Sequence, residues 1–158
     1  MRRIRVEASA VIDARPEEVY TILADYRNGH PQILPREHFR DLQVEAGGRG
    51  TGTILRFRVR IGAIERFYRM LVSEPEPGRV LVEADIESDL ITTFTVTPIN
   101  NGHKANVQIA TEWDAAYGLN GLIEQMLAPF MMRRIYHKEL RQLAAVMHSK
   151  GNSKMKSL

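Results

Sequence analysis

The sequence predicts an α+β fold: a curved antiparallel sheet of seven strands, two short helices between its first and second strands, and one long C-terminal helix. Three observations carry this. Apolar and polar residues alternate over residues 3–12 and again in six runs between 38 and 114, the period of half-buried strands. The runs are joined by short Gly, Pro and Asn turns with no room for crossover helices, which makes the sheet antiparallel. From residue 117 to 148 the apolar spacing changes to that of a helix. An antiparallel sheet this long has to curl, and a one-sided helix fits its concave face.

In the first strand Ile4, Val6, Ala8 and Ala10 share one face, and Arg3, Arg5, Glu7 and Ser9 the other. Asp13 is the expected cap or turn residue, Pro16 suits a first helical turn where its missing N–H costs little, and Glu17 and Glu18 complement the helix dipole. This helix is expected over about 16–25. Asn28-Gly29 and Pro31 interrupt it, and a second short helical piece over 26–34 ends at Pro35. Strands follow at 39–47, 53–61, 64–74, 79–87, 89–98 and 104–114, with turns at Gly62-Ala63, PEPG (75–78), Ser88 and NNGH (100–103). In the long helix Leu119, Leu122, Ile123, Met126, Leu127, Phe130 and Met131, then Tyr136, Leu140, Leu143 and Met147, keep helical spacing, and Pro129 is expected to bend it. The lysine-rich segment 149–158 is expected to be a disordered basic tail after a single domain at 1–148.

With 158 residues, 44% apolar and 26% charged, the composition is that of a globular domain. No run reaches the length of a membrane span and the N-terminus lacks the pattern of a signal peptide, so cytoplasmic residence is the expectation. The absence of cysteine excludes disulfides, a thiol nucleophile and a Cys-based zinc site. A formal net charge of +3 raises nucleic acid as a partner. However, Arg56, Arg58 and Arg60 fit the solvent face of a strand and lack the exposed aromatics a single-strand binder would interleave, so nucleic acid is not expected.

The glycine-rich GGRGTGT (47–53) is followed by a strand, not by the helix N-terminus a phosphate cradle needs, and it lacks a GK[ST] ending. It is expected to be a flexible hairpin connection. His30, His38, His103, His137 and His148 lack metal-ligand spacing, and there is no GxSxG elbow, so no metal, cofactor or hydrolase triad is expected.

The opening VEASAVIDARPEEVYTILADYRNGHPQILP, the loop GGRGTGT, the strand-turn RMLVSEPEPGRVLVE and the closing LNGLIEQMLAPFMMRRIYHKELRQLAAVM together resemble the START/birch-pollen-allergen (SRPBCC) superfamily, in its bacterial polyketide cyclase/dehydrase and lipid-transport branch. The resemblance covers residues 2–148 and implies a helix-grip fold, whose two short helices form a V that plugs one end of the sheet. It also implies a hydrophobic cavity between sheet and C-terminal helix. Alternation leaves both faces of residues 64–72 mixed; the resemblance favours Arg66, Tyr68, Met70 and Val72 as inward.

Together with Thr92, Phe94, Thr111, Trp113, Met126 and Phe130, the residues Arg66, Tyr68 and Met70 are the candidate ligand-binding set, although the same side chains could simply fill core. Three functions stay open: binding or transport of a hydrophobic small molecule or lipid, a cyclase/dehydrase-like enzyme, and a protein-interaction module with a filled pocket. For the enzyme, Tyr68, Asp25, His30 and Arg66 are acid/base candidates with no recognisable dyad, so the catalytic set is unknown. Weak contact with an anionic membrane surface is a subsidiary expectation, and the oligomeric state is not readable.

Overall fold

The computed structural model describes residues 2–115 and 118–157, with side chains outside residues 119–125. Strand β1 (Arg3–Ile12) pairs antiparallel with β7 (Lys104–Asp114), Val6 standing opposite Thr111. Between them the chain forms α1 (Pro16–Ala24), a 3-10 turn at His30–Gln32, the strands β2 (Phe39–Ala46), β3 (Ile54–Ile61), β4 (Ile64–Glu76), β5 (Val80–Asp85) and β6 (Ile91–Ile99), and a second 3-10 turn at Asn100–Gly102. The seven strands make one sheet in the order β1-β7-β6-β5-β4-β3-β2. Helix α2 (Leu119–Lys156) packs along β1 and completes the fold.

The alternation read from the sequence sets which face is buried. Ile4, Val6 and Ala8 of β1, Phe94 and Val96 of β6, and Val107, Ile109 and Trp113 of β7 lie in the core. In β4 Met70 and Val72 are buried while Phe67 and Leu71 face water, which agrees with the register expected for that strand. On the outer face Arg58 pairs with Asp41 and Glu65, Arg69 with Glu45, and Arg3 and Arg5 with Glu112. Three register shifts interrupt the ladders, between Arg40 and Gln43 and between Val44 and Ala46 in β2, and between Ser73 and Glu76 in β4. Such bulges sharpen the local twist, and Asp41 reaches a φ of 55° at the first of them.

Helix α1 starts at Arg15 with Pro16 in its first turn and no side-chain cap, so the expected capping role of Asp13 is not used. After α1 the Asp25 carboxylate accepts from the backbone N–H groups of Arg27 and Asn28, and its carbonyl accepts from those of Gly29 and His30. This turns the 3-10 piece back onto α1. Gly29 is required there, because a Cβ would collide with the Ile22 carbonyl. The glycine-rich segment is not the flexible connection expected: it is stitched to both neighbours. Tyr26 N–H donates to Gly48 O at 2.9 Å, Gly50 N–H to Ala24 O at 2.9 Å and Gly52 N–H to Val72 O at 3.0 Å. Glu74 of β4 accepts from Thr51 N–H and from the Tyr20 hydroxyl of α1, so a side chain at Gly50 would strike it.

In α2 the residues Ile135, Tyr136, Leu140, Leu143 and Met147 are buried, as the helical spacing predicts. Met126, Leu127, Phe130 and Met131 are exposed instead, and Leu119, Leu122 and Ile123 fall outside the described side chains. Among the described side chains the expected stripe is therefore interrupted at these four exposed residues, while Ala128 between them packs against the core, and the helix continues across Pro129. The tail expected to be disordered is helical through Lys156. Propagating an existing helix adds one backbone bond per residue fixed, the Ser153 hydroxyl donates to Ser149 O at 3.1 Å, and Lys154 pairs with Glu18 of α1. Among the described residues no helix is long and apolar enough to cross a membrane.

Candidate functional site

A transverse row on the inner face of the sheet sets the site. Register places Glu83 of β5 opposite Thr92 of β6, and Thr92 opposite Thr111 of β7. Above this row lies the inner face of α2, where Met132, Ile135, Tyr136 and Glu139 recur at three- and four-residue spacing. The two surfaces do not close on each other. They leave a cavity of about 120 Å³ bounded by these residues, by His30 and by apolar side chains of β3, β4, β6 and β7.

Burial is graded along this lining. Leu55, Phe57, Met70, Phe94 and Ile109 are buried, whereas Leu34, Phe39, Val59, Ile61, Tyr68, Leu90 and Met132 are half-buried and mark the mouth. Phe57 stands between Phe39 and Tyr68 with ring centroids 5.8 Å from each, an aromatic strip leading inward.

The interior polar groups fall into three arrangements. His30 is 2% exposed and its Nδ1 lies 2.8 Å from Leu23 O; a carbonyl only accepts, so Nδ1 carries the proton and Nε2 is the nitrogen facing Glu83, at 3.6 Å. The Tyr26 hydroxyl donates to the same Glu83 oxygen at 2.7 Å, and the Tyr26 ring stacks on His30 at 4.7 Å. Burial, then the Glu83 charge, pushes the Tyr26 phenol well above its ordinary range, so it stays a donor. In the second arrangement the Thr92 and Thr111 hydroxyls lie 2.8 Å apart and Thr111 also bonds the Tyr136 hydroxyl. Burial pushes Tyr136 up as well.

Glu139 is the third. It is 2% exposed and lines the cavity. Burial first, and the Glu83 charge second, raise its pKa well above the ordinary carboxylate range, so it holds its proton where an exposed glutamate would ionise.

Of the candidate ligand-binding residues, Tyr68, Met70, Thr92, Phe94 and Thr111 are brought together around this cavity. Four are not. Arg66 lies on the same face of β4 as Tyr68 but near the exposed β3–β4 hairpin, beyond the cavity lining. Trp113 is buried in the core outside the lining. Met126 and Phe130 are 77% and 61% exposed and lie outside the cavity lining. Among the acid/base candidates, Tyr68 and His30 line the cavity, whereas Asp25 shapes the turn after α1 and Arg66 faces solvent. Sequence reasoning passed over Glu83, Tyr136 and Glu139. The signal was present: Glu83 shares a strand face with Leu81, and Glu139 lies four residues from Ile135 and Leu143 on an apolar helix face.

The comparisons with known proteins bear on the fold and the family. No curated protein matches the chain. Among solved structures, the KanY protein is 28% identical with a TM-score of 0.81, covering 94% of this chain and 99% of that one. A START superfamily protein from Mycobacterium smegmatis is 15% identical with a TM-score of 0.69, covering 92% and 97%. A norcoclaurine synthase point mutant from Thalictrum flavum, bound to a transition-state analogue, is 14% identical with a TM-score of 0.72, covering 95% and 97%. The last two show a common fold alone. The family model described as polyketide cyclase/dehydrase and lipid transport matches residues 3–148, nearly the whole chain, and the protein belongs to that family.

Proposed function

We propose that the protein binds a small, mainly apolar molecule in the cavity between the sheet and α2. The observation that carries this reading is the open gap itself: an apolar cavity with a few inward polar groups, lined from a half-buried aromatic mouth to a buried interior. A domain using this face only for core would close it, because unfilled space forfeits packing. The volume of about 120 Å³ is of the order of the ~150 Å³ cavity that takes benzene, so a ring-sized ligand fits without rearrangement and a lipid chain requires α2 to move.

Native mass spectrometry of the purified protein, followed by organic extraction, tests the reading. A stoichiometric apolar adduct that leaves on denaturation supports it. A clean mass, together with no rise in melting temperature on adding small aromatic ligands, overturns it.

A second reading, cyclase or dehydrase-type chemistry in the same cavity, is favoured by one observation. Glu83 and Glu139 are both buried at the cavity, and the environment of Glu139 keeps it in the acid form that a general acid needs. Turnover distinguishes the two: incubation with a poly-β-ketone chain gives loss of water or ring closure in the enzyme reading, and unchanged ligand in the binding reading.

A further inference from the structure

We propose that Glu139 is the group that reads the polar end of the ligand: its carboxylic O–H donates to the carbonyl oxygen of a small, neutral, otherwise apolar molecule such as an aryl ketone. The proposal rests on the cavity-binding reading above.

The other buried polar groups of the lining are already engaged. Glu83 accepts from Tyr26 and faces His30, and Thr92, Thr111 and Tyr136 bond one another. Tyr68 is not free either. Glu139 is as buried as His30, yet among the described residues only burial and the Glu83 charge act on it, with no hydrogen bond. Leaving a buried donor unpaired is costly, and here the donor borders open volume, so a ligand can relieve it.

The surroundings choose the class. Four titratable groups share the cavity lining with Glu139: Glu83 from β5, His30 from the 3-10 turn, Tyr68 from β4 and Tyr136 from its own helix, and of these Glu83 acts on its charge. Glu83 disfavours both an ionised Glu139 and an anionic ligand. A carbonyl supplies the missing acceptor without importing another donor. The rings of Phe57, Phe94 and Tyr68 suit an aromatic body, and the volume limits it to about one ring.

The probe is acetophenone compared with α-methylstyrene, which has the same shape with the carbonyl oxygen replaced by a methylene. Calorimetric titration is expected to show acetophenone binding about tenfold tighter, the scale of one buried hydrogen bond. The carbonyl stretch of the bound ketone is expected at lower frequency than in an apolar solvent. The preference declines as pH rises through the raised pKa of Glu139, because ionisation removes the donor. Glu139→Leu abolishes the preference and the frequency shift. Glu139→Gln, which keeps an N–H donor, retains a preference that no longer depends on pH.

Equal binding of the two probes by the wild-type protein, or a preference that survives Glu139→Leu, overturns the inference and leaves the cavity reading standing. Binding of neither probe overturns both. Tighter binding of 1-phenylethylamine that strengthens with rising pH also overturns it, making Glu139 an anionic partner for a cation.

Discussion

At the end of the sheet closed by α1, the polar groups of the turn and the glycine-rich loop are tied to one another, whereas at the β3–β4 hairpin and the front of α2 large apolar side chains stand in water. Ala24, Asp25, Tyr26 and Glu74 all bond the 47–53 loop or its neighbours. Ile64 and Phe67 near the hairpin, and Met126 and Phe130 on the helix, are each more than half exposed. The contrast separates two tasks. One end holds the backbone around His30 by hydrogen bonds, and the other leaves apolar side chains without a covering layer among the described residues.

The contrast can be broken by mutation. The largest expected effect is at the closed end: Gly29→Ala forces a Cβ against the Ile22 carbonyl and is expected to cost about 2–3 kcal/mol in urea unfolding. Tyr26→Phe removes a donor from buried Glu83, for an expected loss of about 2 kcal/mol. Glu139→Leu moves the other way. A carboxyl whose folded pKa is raised keeps its proton while the unfolded chain releases one, so wild-type stability falls as pH rises from the ordinary glutamate value through the raised one. The leucine variant is expected to be the more stable at neutral pH, by about 1 kcal/mol or a few degrees in Tm, with the gap narrowing in acid.

Glu74 has the opposite sign. Hydrogen bonds from Tyr20 and Thr51 depress its pKa, so its contribution is present above the ordinary carboxylate value and is lost as pH falls through the folded one. Acid unfolding of Glu74→Gln is expected to be shallower than wild type. Among the exposed apolar side chains, Phe67→Ser and Met126→Ser are expected to change stability by less than about 0.5 kcal/mol. A large loss at either position would show that these exposed side chains are structural.

The strands, their antiparallel pairing and the inward faces of β6 and β7 were legible because they follow from a two-residue period and short turns, whereas the V of the two short helices was implied by the resemblance alone. The cavity was only partly legible. Thr92, Phe94 and Thr111 could be placed by alternation, but Met126 and Phe130 keep helical spacing and are nonetheless exposed. Periodicity states which face a residue shares, and not how far along that face a partner extends. Glu83 and Glu139 were missed for a related reason. A carboxylate on an apolar face breaks the pattern used to find the face, and the break is itself the signal.

The Thr92–Thr111–Tyr136 arrangement has one further consequence. Each of its three oxygens can both give and receive a hydrogen, and either atom of each pair can be the donor. The series can therefore run in either direction, and rotating the three O–H bonds reverses it without moving any heavy atom. Reversal changes which end of the series carries the terminal proton, so the same three buried oxygens stay mutually satisfied in two hydrogen arrangements of one heavy-atom structure.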